Sequence, residues 1–242
     1  MTCKPSTAIL LAAGKGTRMG SGVRKQYMML CGQPLLAYSL RTLTESPLIQ
    51  DIVMVIPDGE EAYIRQNITA LVPGAEQKIR AYVPGGSERY ASVYHGIEAI
   101  TWPCGYVYIH DGARPFIDEE TLQRLFAAVS QEGTAVAGMP SKDTVKLTDD
   151  TAHVTDTPDR RRVWLVQTPQ TFEYALIKTA YEKLFSHIDD LKSQEISITD
   201  DAMVVEQMLH RRVRLVEASY RNIKVTTPED LLIAEAFIRN RG

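Results

Sequence analysis

Directly after a short apolar run, the sequence reads Leu11-Ala12-Ala13-Gly14-Lys15-Gly16-Thr17-Arg18-Met19, with Arg24-Lys25 close behind. Glycines at that spacing let a backbone turn tightly and bring its N–H groups against an anion. The dinucleotide fingerprint G-x-G-x-x-G requires glycine where Met19 stands, and the G-x-x-x-x-G-K-[ST] phosphate loop requires a longer gap between its glycines. Neither pattern is met. The loop instead carries Lys15, Arg18 and Lys25 on a turn of phosphate size. That suits a reaction in which negative charge builds up in the transition state. Spacing alone is equally compatible with an ordinary glycine turn bearing solvated basic residues.

A strand must deliver such a loop, and the sequence offers several. Residues 7–12, 51–57, 78–83, 106–110 and 134–138 read as strands by β-branched or apolar content and flanking Gly or Pro. Helical patterns lie near 35–45, 59–71, 88–101 and 118–131; in the last, Leu122, Leu125, Phe126 and Val129 share one face. This alternation predicts an α/β fold with a mostly parallel sheet flanked by helices, and a ligand crevice beyond the carboxyl ends of the strands. From 139 to 162 the rhythm breaks into a polar stretch with two short strand-like pieces, which reads as a β-hairpin arm. The pattern then resumes with helices at 173–186 and 200–209, a strand at 213–216 and a last helix from about 228, for which Thr227 is the expected N-cap.

Composition narrows the class. The 242 residues carry 27 basic and 30 acidic side chains, a net charge of −3, and are 44% hydrophobic. Disorder is excluded, and a near-neutral balance gives no field for nucleic acid or membrane binding, so neither is an expected partner. An anionic ligand must be held by a local cluster. Cys3, Cys31 and Cys104 form no C-x-x-C pair, so neither a disulfide framework nor a zinc knuckle is indicated. The apolar run 8–13 is too short for a signal-peptide core and no run spans a bilayer, so a single cytoplasmic domain over 1–242 is expected.

Six blocks, in order over nearly the whole chain, carry a resemblance. They are the first loop with Lys25-Gln26-Tyr27; Gly85-Gly86-Ser87-Glu88-Arg89 with Ser92; His110-Asp111-Gly112-Ala113-Arg114-Pro115; Asp159-Arg160 with Gln167-Thr168-Pro169-Gln170; Ile198-Thr199-Asp200-Asp201-Ala202; and Asn222-Ile223-Lys224-Val225-Thr226. Together they resemble the nucleotidyltransferases that load polyol phosphates onto a nucleotide, and among them the 2-C-methyl-D-erythritol 4-phosphate cytidylyltransferase family. The resemblance implies a Rossmann-like sheet of the nucleotide-diphospho-sugar transferase type. It also implies a reaction in which a phosphate oxygen of the polyol attacks the α-phosphorus of CTP and pyrophosphate leaves.

Roles follow from the resemblance, residue by residue. Arg18 and Lys25 stabilise the transition state, while the backbone of Ala12, Ala13, Gly14, Lys15 and Gly16 holds the triphosphate. Gly86, Ser87, Arg89 and Ser92, with Ala12 and Ala13, contact the nucleotide and read cytosine. Glu88 is expected to be an ordinary first-turn acid, and His110 a packed strand residue. Asp111 and Arg114 bind the acceptor, Asp111 being also the candidate carboxylate for a magnesium ion held largely by the CTP phosphates. Arg160 and Lys224 orient the acceptor phosphate and count with the catalytic set, Thr144, Thr168 and Thr199 adding contacts. Arg160 is expected to reach in from the arm of a neighbouring subunit, making 139–162 a homodimerisation arm. Leu11 and Arg24 stand where proline is usual, Gly112 where alanine is, and Ser87 where an acid is. A ribitol 5-phosphate cytidylyltransferase is the nearest alternative, since it shares the first loop and the 222–228 block. An NAD-dependent oxidoreductase and a non-catalytic CTP-binding domain are alternatives of other classes; Met19 weighs against the first, and the two charged pockets weigh against the second.

Overall fold

Ala8 and Leu10 join one buried cluster and Ile9 joins another, so the strand that delivers the first loop is apolar on both sides. Strands covered by helices on both faces read in this way. The computed structural model describes residues 4–14, 24–193 and 197–240. Its strands are β1 (Ser6–Leu11), β2 (Met29–Leu30), β3 (Gln33–Pro34), β4 (Asp51–Ile56), β5 (Ile79–Pro84), β6 (Tyr106–Asp111), β7 (Thr134–Pro140), β8 (Leu147–Thr148), β9 (Val154–Asp156), β10 (Trp164–Glu173) and β11 (Leu215–Glu217). The helices are α1 (Leu35–Glu45), α2 (Glu61–Asn67), α3 (Ala75–Lys78), α4 (Arg89–Glu98), α5 (Glu119–Glu132), α6 (Tyr174–Ser186), α7 (Ile188–Ser193), α8 (Asp201–Leu209) and α9 (Pro228–Arg239).

The main sheet has seven strands in the order β11-β7-β10-β6-β1-β4-β5. The pairs β1–β4, β1–β6, β4–β5 and β7–β11 are parallel, while β10 runs antiparallel to both β6 and β7. The mostly parallel sheet matches the expectation; β10 does not appear in it. Its sequence, with Pro169 and polar neighbours, lacks the apolar alternation of a strand, and its register shifts between Val166 and Gln170. Proline cannot donate to a ladder and is tolerated at such an irregularity.

Chain order reverses at β1: β4 and β5 lie on one side of it and β6 on the other. Leu11 pairs with Asp111 in register, so the first loop and the loop after Asp111 leave the sheet side by side. Ligands of open α/β sheets bind at such a reversal, beyond the carboxyl ends of the strands.

One face of the sheet is covered by Leu36, Leu40 and Leu43 of α1 and by Leu122, Leu125 and Val129 of α5, with Phe126 packed against them as its spacing predicts. The other face is covered by Val93 and Ile97 of α4, Ile177, Tyr181 and Leu184 of α6, and Val204 and Val205 of α8. A third cluster seats Ala234 of α9 against Leu30, Leu35 and Phe116. Thr227 caps α9 as expected, in a reciprocal box with Asp230. The helix expected at 59–71 ends earlier, as α2 followed by a tight turn at Thr69–Leu71. In the 139–162 excursion β8 and β9 pair antiparallel as a hairpin separate from the main sheet, and every residue of both strands is exposed.

Candidate active site

The ends of β1, β5 and β6 meet around a cavity of about 400 Å³. Beyond β1 the chain stays close to the sheet, since the Ala12 N–H donates to Val55 O at 2.7 Å. Beyond β5 the Gly85 N–H does the same to Ile56 O at 2.8 Å. The two loops then touch. A Cβ on Gly85 would lie 2.1 Å from that of Ala13, and one on Gly86 2.4 Å from that of Ala91, so the approach demands glycine at both positions. Ser92 locks this shape: its hydroxyl accepts from the Gly86 N–H at 3.0 Å and donates to Glu88 O at 3.1 Å. Gln26, almost wholly buried, donates its amide to Gly14 O at 3.1 Å and to Ala12 O, tying the turn Lys25–Tyr27 to the first loop.

A chain of alternating charges forms the floor. Asp201, fully buried at the start of α8, receives both Nη atoms of Arg89 at 2.9 and 2.8 Å and the Tyr181 hydroxyl at 2.6 Å. Arg89 Nε reaches Asp111 Oδ1 at 3.2 Å, and Lys224 Nζ reaches Asp111 Oδ2 at 2.6 Å. Burial opposes ionising Asp111, but Arg89, Lys224 and Arg114 outweigh it and hold its carboxyl well below the usual carboxylate range. Burial also works against charge on Arg89; Asp201 and Asp111 overcome it and fix the guanidinium as a cation.

Behind Asp111 lies a neutral relay. The Asp111 N–H donates to Thr168 Oγ1 at 3.0 Å, and the same oxygen lies 3.0 Å from His110 Nδ1. His110 Nε2 lies 3.1 Å from the Arg114 carbonyl, which can only accept, so Nε2 is assigned the proton and Nδ1 accepts from the threonine hydroxyl. Burial pushes the His110 imidazole down to about 4, against the pull of Asp111 and the Arg114 carbonyl, so it is neutral at pH 7. Arg114 Nη1 donates to Asn222 O at 2.8 Å, and the Asn222 amide donates to Thr168 O at 2.9 Å and Gln167 Oε1 at 3.0 Å. With the Val225 N–H on Ala113 O at 2.9 Å, these bonds carry Lys224 to Asp111.

Of the residues singled out in the sequence, Ala12, Ala13, Gly14, Lys25, Gly86, Ser87, Arg89, Ser92, Asp111 and Lys224 line this one cavity. Lys15, Gly16 and Arg18 lie outside the described residues. Thr168 and Arg114 stand behind its wall rather than in it. Thr199 is exposed, its hydroxyl turned to Met203 Sδ at 3.6 Å. Thr144 and Arg160 are exposed on the 139–162 segment and line no part of the cavity of their own chain. Sequence reading assigned nothing to Asp201, Tyr181, Gln26 or Asn222. A signal for Asp201 existed, since Arg89 opens α4 where the helix dipole disfavours a cation, and a buried carboxylate is what stabilises it there.

Two departures have local reasons. A Cβ at Gly112 would come 2.5 Å from Leu36 Cδ1 and 3.0 Å from Leu11 O, so glycine fits there. Arg24 keeps a φ of −61°, the angle proline would impose, and spends its side chain on Glu60.

Among the described residues no group of three or more His, Cys, Asp or Glu side chains is placed to hold a metal. Asp111 is ionised and faces the cavity, with its oxygens shared by two cations. Such a donor set fits a hard ion that takes most of its ligands from phosphate oxygens and water, as magnesium does.

The family model described as 2-C-methyl-D-erythritol 4-phosphate cytidylyltransferase matches residues 6–240. A protein of that name from Lachnoclostridium phytofermentans is 44% identical over 233 residues, covering 96% of each chain. Another from Alkaliphilus oremlandii is 39% identical over 236 residues, covering 98% of this chain and 96% of that one. The crystal structure of 4-diphosphocytidyl-2C-methyl-D-erythritol synthase from Anaerococcus prevotii superposes with a TM-score of 0.83 at 34% identity, covering 98% of this chain and 97% of that one. The 2-C-methyl-D-erythritol 4-phosphate cytidylyltransferase of Thermus thermophilus gives a TM-score of 0.71 at 28% identity, covering 96% and 98%.

Proposed function

The chain belongs to the 2-C-methyl-D-erythritol 4-phosphate cytidylyltransferase family, and from that premise we propose how its residues divide the work. The reaction joins CTP and 2-C-methyl-D-erythritol 4-phosphate into 4-diphosphocytidyl-2-C-methyl-D-erythritol and pyrophosphate, a step of non-mevalonate isoprenoid precursor synthesis. A phosphate oxygen of the acceptor forms a bond to the α-phosphorus, and the bond to the bridging oxygen of the leaving pyrophosphate breaks. The attacking oxygen is already ionised at neutral pH, so no general base is required. Catalysis then consists of aligning two anions and stabilising charge on the α-phosphate.

The observation that carries this reading is the meeting of the first loop, the Gly85-Gly86-Ser87 loop and the Asp111–Lys224 pair around one cavity. Backbone of Ala12–Gly14 and the Gly86–Ser87 loop receive the nucleotide, with Ser92 keeping that loop in shape. Lys25 and Arg18 stabilise the charge on the reacting phosphate; a lysine acts there as a compact point charge and an arginine as a planar fork. Lys224 is held by Asp111 until an anion competes for it, and with Arg160 it orients the acceptor phosphate. Arg89 serves by fixing Asp111. Magnesium, were it bound largely through the CTP phosphates, would be held on the protein side by Asp111 and would supply charge neutralisation between the two anions.

The arm completes the reading. Arg160 lines no part of the cavity of its own chain, and Leu147, Val154 and Leu165 are 50, 58 and 54% exposed. A homodimer whose arms clasp gives both facts a cause, each Arg160 serving the partner's cavity. A cytoplasmic location belongs to this reading, since both substrates are charged phosphates.

The test is pyrophosphate release with CTP and magnesium in the presence of methylerythritol 4-phosphate, ribitol 5-phosphate or no acceptor. Clear preference for the first is expected; preference for the second would overturn the acceptor assignment. Release with neither would leave the acceptor pocket wrongly read.

A further inference from the structure

The turn that carries Lys25 is gripped from two sides. On the inner side Gln26 holds it to the first loop. On the outer side both oxygens of one carboxylate are committed to it: Arg24 Nε donates to Glu60 Oε1 at 3.0 Å, and the Tyr27 hydroxyl donates to Glu60 Oε2 at 2.7 Å. Those two donors flank Lys25 and Gln26 in sequence, so Glu60 spans the turn from end to end. The Tyr27 ring also lies 5.1 Å from that of Tyr63, on the first turns of α2, the helix that follows Glu60. Within the turn itself two short-range backbone bonds operate, Tyr27 N–H to Arg24 O at 2.9 Å and Met28 N–H to Lys25 O at 3.2 Å.

Glu60 occupies the N-cap position of α2, yet its side chain caps nothing. Its carboxylate is committed instead to Arg24 and Tyr27. Arg24 and Glu60 are each about one-third exposed, so the pair is not a deeply buried ion pair kept for stability. Its geometric value is larger than its energetic one. A three-residue turn cannot hold a long lysine side chain against a phosphate unless its backbone is braced, and small misplacements of a catalytic charge are costly.

We propose that Glu60 is a positioning residue for Lys25: by bridging Arg24 and Tyr27 it fixes the turn that aims the lysine at the reacting phosphate. The inference rests on the role given to Lys25 above. It adds a residue that lies outside all six sequence blocks and outside the lining of the cavity.

The experiment is a double-mutant cycle in the full-length enzyme, read by pyrophosphate release at saturating CTP and acceptor. Lys25→Met should lower kcat by about 10²-fold, the scale for loss of one preorganised charge. Glu60→Ala should lower kcat by roughly tenfold or more, with KM for both substrates changed less than about twofold. Glu60→Gln keeps an acceptor for Tyr27 and should recover part of that loss. In the Lys25→Met background Glu60→Ala should cost nothing further, because the group it aims is gone. A full additional loss in that background would overturn the proposal, since it would mean that Glu60 acts on general integrity. Normal kcat in Glu60→Ala beside an impaired Lys25→Met would also overturn it. Normal kcat in Lys25→Met would instead sink the reading of the lysine. Tyr27→Phe removes one bond while keeping the ring, and should give a smaller loss of the same kind, equally absent in the Lys25→Met background.

Discussion

The crevice and the arm, two regions of one chain, are built on opposite terms. In the crevice Arg89, Lys224 and Arg114 take partners from distant parts of the sequence: Asp201, Asp111 and the Asn222 carbonyl. In the arm the partners are near neighbours: Asp159 with Arg161, Asp149 with Thr151 and His153, Lys146 with Thr157. The crevice buries its carboxylates Asp111 and Asp201, whereas the arm exposes even Leu147 and Val154. A region whose contacts are long-range is finished by folding of the chain that contains it. The hairpin of the arm, with local polar contacts and uncovered apolar side chains, is finished by something else, and in our reading that is a second copy.

The largest effect should come from the crevice. Asp201→Ala leaves the Arg89 fork and the Tyr181 hydroxyl without their shared acceptor. Removing one partner of a buried pair costs about 3–5 kcal/mol, and with Asp111 still at Arg89 Nε the loss should fall at the low end, about 3 kcal/mol. Urea unfolding should show that loss. If Asp201→Ala costs no more than a surface change, the alternating chain of charges does not hold the crevice, and the contrast with the arm collapses.

The arm should answer in kinetics instead. Arg160→Ala is expected to raise KM for the acceptor by about tenfold or more, the scale of one hydrogen bond to a charged group, while leaving KM for CTP nearly intact. Mixing this variant with Lys25→Met should restore activity, because one cavity of the mixed dimer then has both its own lysine and its partner's arginine. Absence of rescue would confine Arg160 to its own chain and remove the reason for the arm's exposure.

How much of this was legible in the sequence divides along the same line. Strand β1, the helix face of Leu122, Leu125, Phe126 and Val129, and the Thr227–Asp230 cap are short-range patterns, and the structure places each as read. The carbonyl-end crevice followed from alternation alone. What sequence reasoning did not reach is long-range. Strand β10 has no apolar alternation because Pro169 and its polar neighbours sit where the register slips and their side chains serve the site. Asp201 looks like a first-turn acid, and only the fold, by setting α8 against α4 and α6, turns it into the counter-charge of Arg89. Thr168 was read as an acceptor contact; its hydroxyl is spent on Asp111 and His110.

Acid should separate the regions next. His110 is fully buried, while the other four histidines, including His153 on the arm, are exposed. Its folded-state value of about 4 lies below the unfolded value near 6.5, so the unfolded chain binds the proton first. Stability is therefore full above about pH 6.5, falls as pH drops through that value, and levels off below about 4. Between pH 7.5 and 5 the loss should be about 2 kcal/mol by urea unfolding, and His110→Gln should flatten the slope. An equal slope in His110→Gln would place the sensitive group elsewhere.

The smallest effect on the chain itself should come from the arm's apolar side chains, and that smallness is informative. Leu147→Ser with Val154→Ser changes two side chains that are already half or more exposed, so folding of the single chain should change by no more than about 0.5 kcal/mol. Stability that depends on association behaves differently, because it rises with protein concentration by mass action. The double variant should thus unfold like the parent at high dilution and fall behind it as concentration rises, with sedimentation showing weaker self-association. A loss independent of concentration would mean that Leu147 and Val154 pack on their own chain. In that case the arm, like the crevice, would be completed from within.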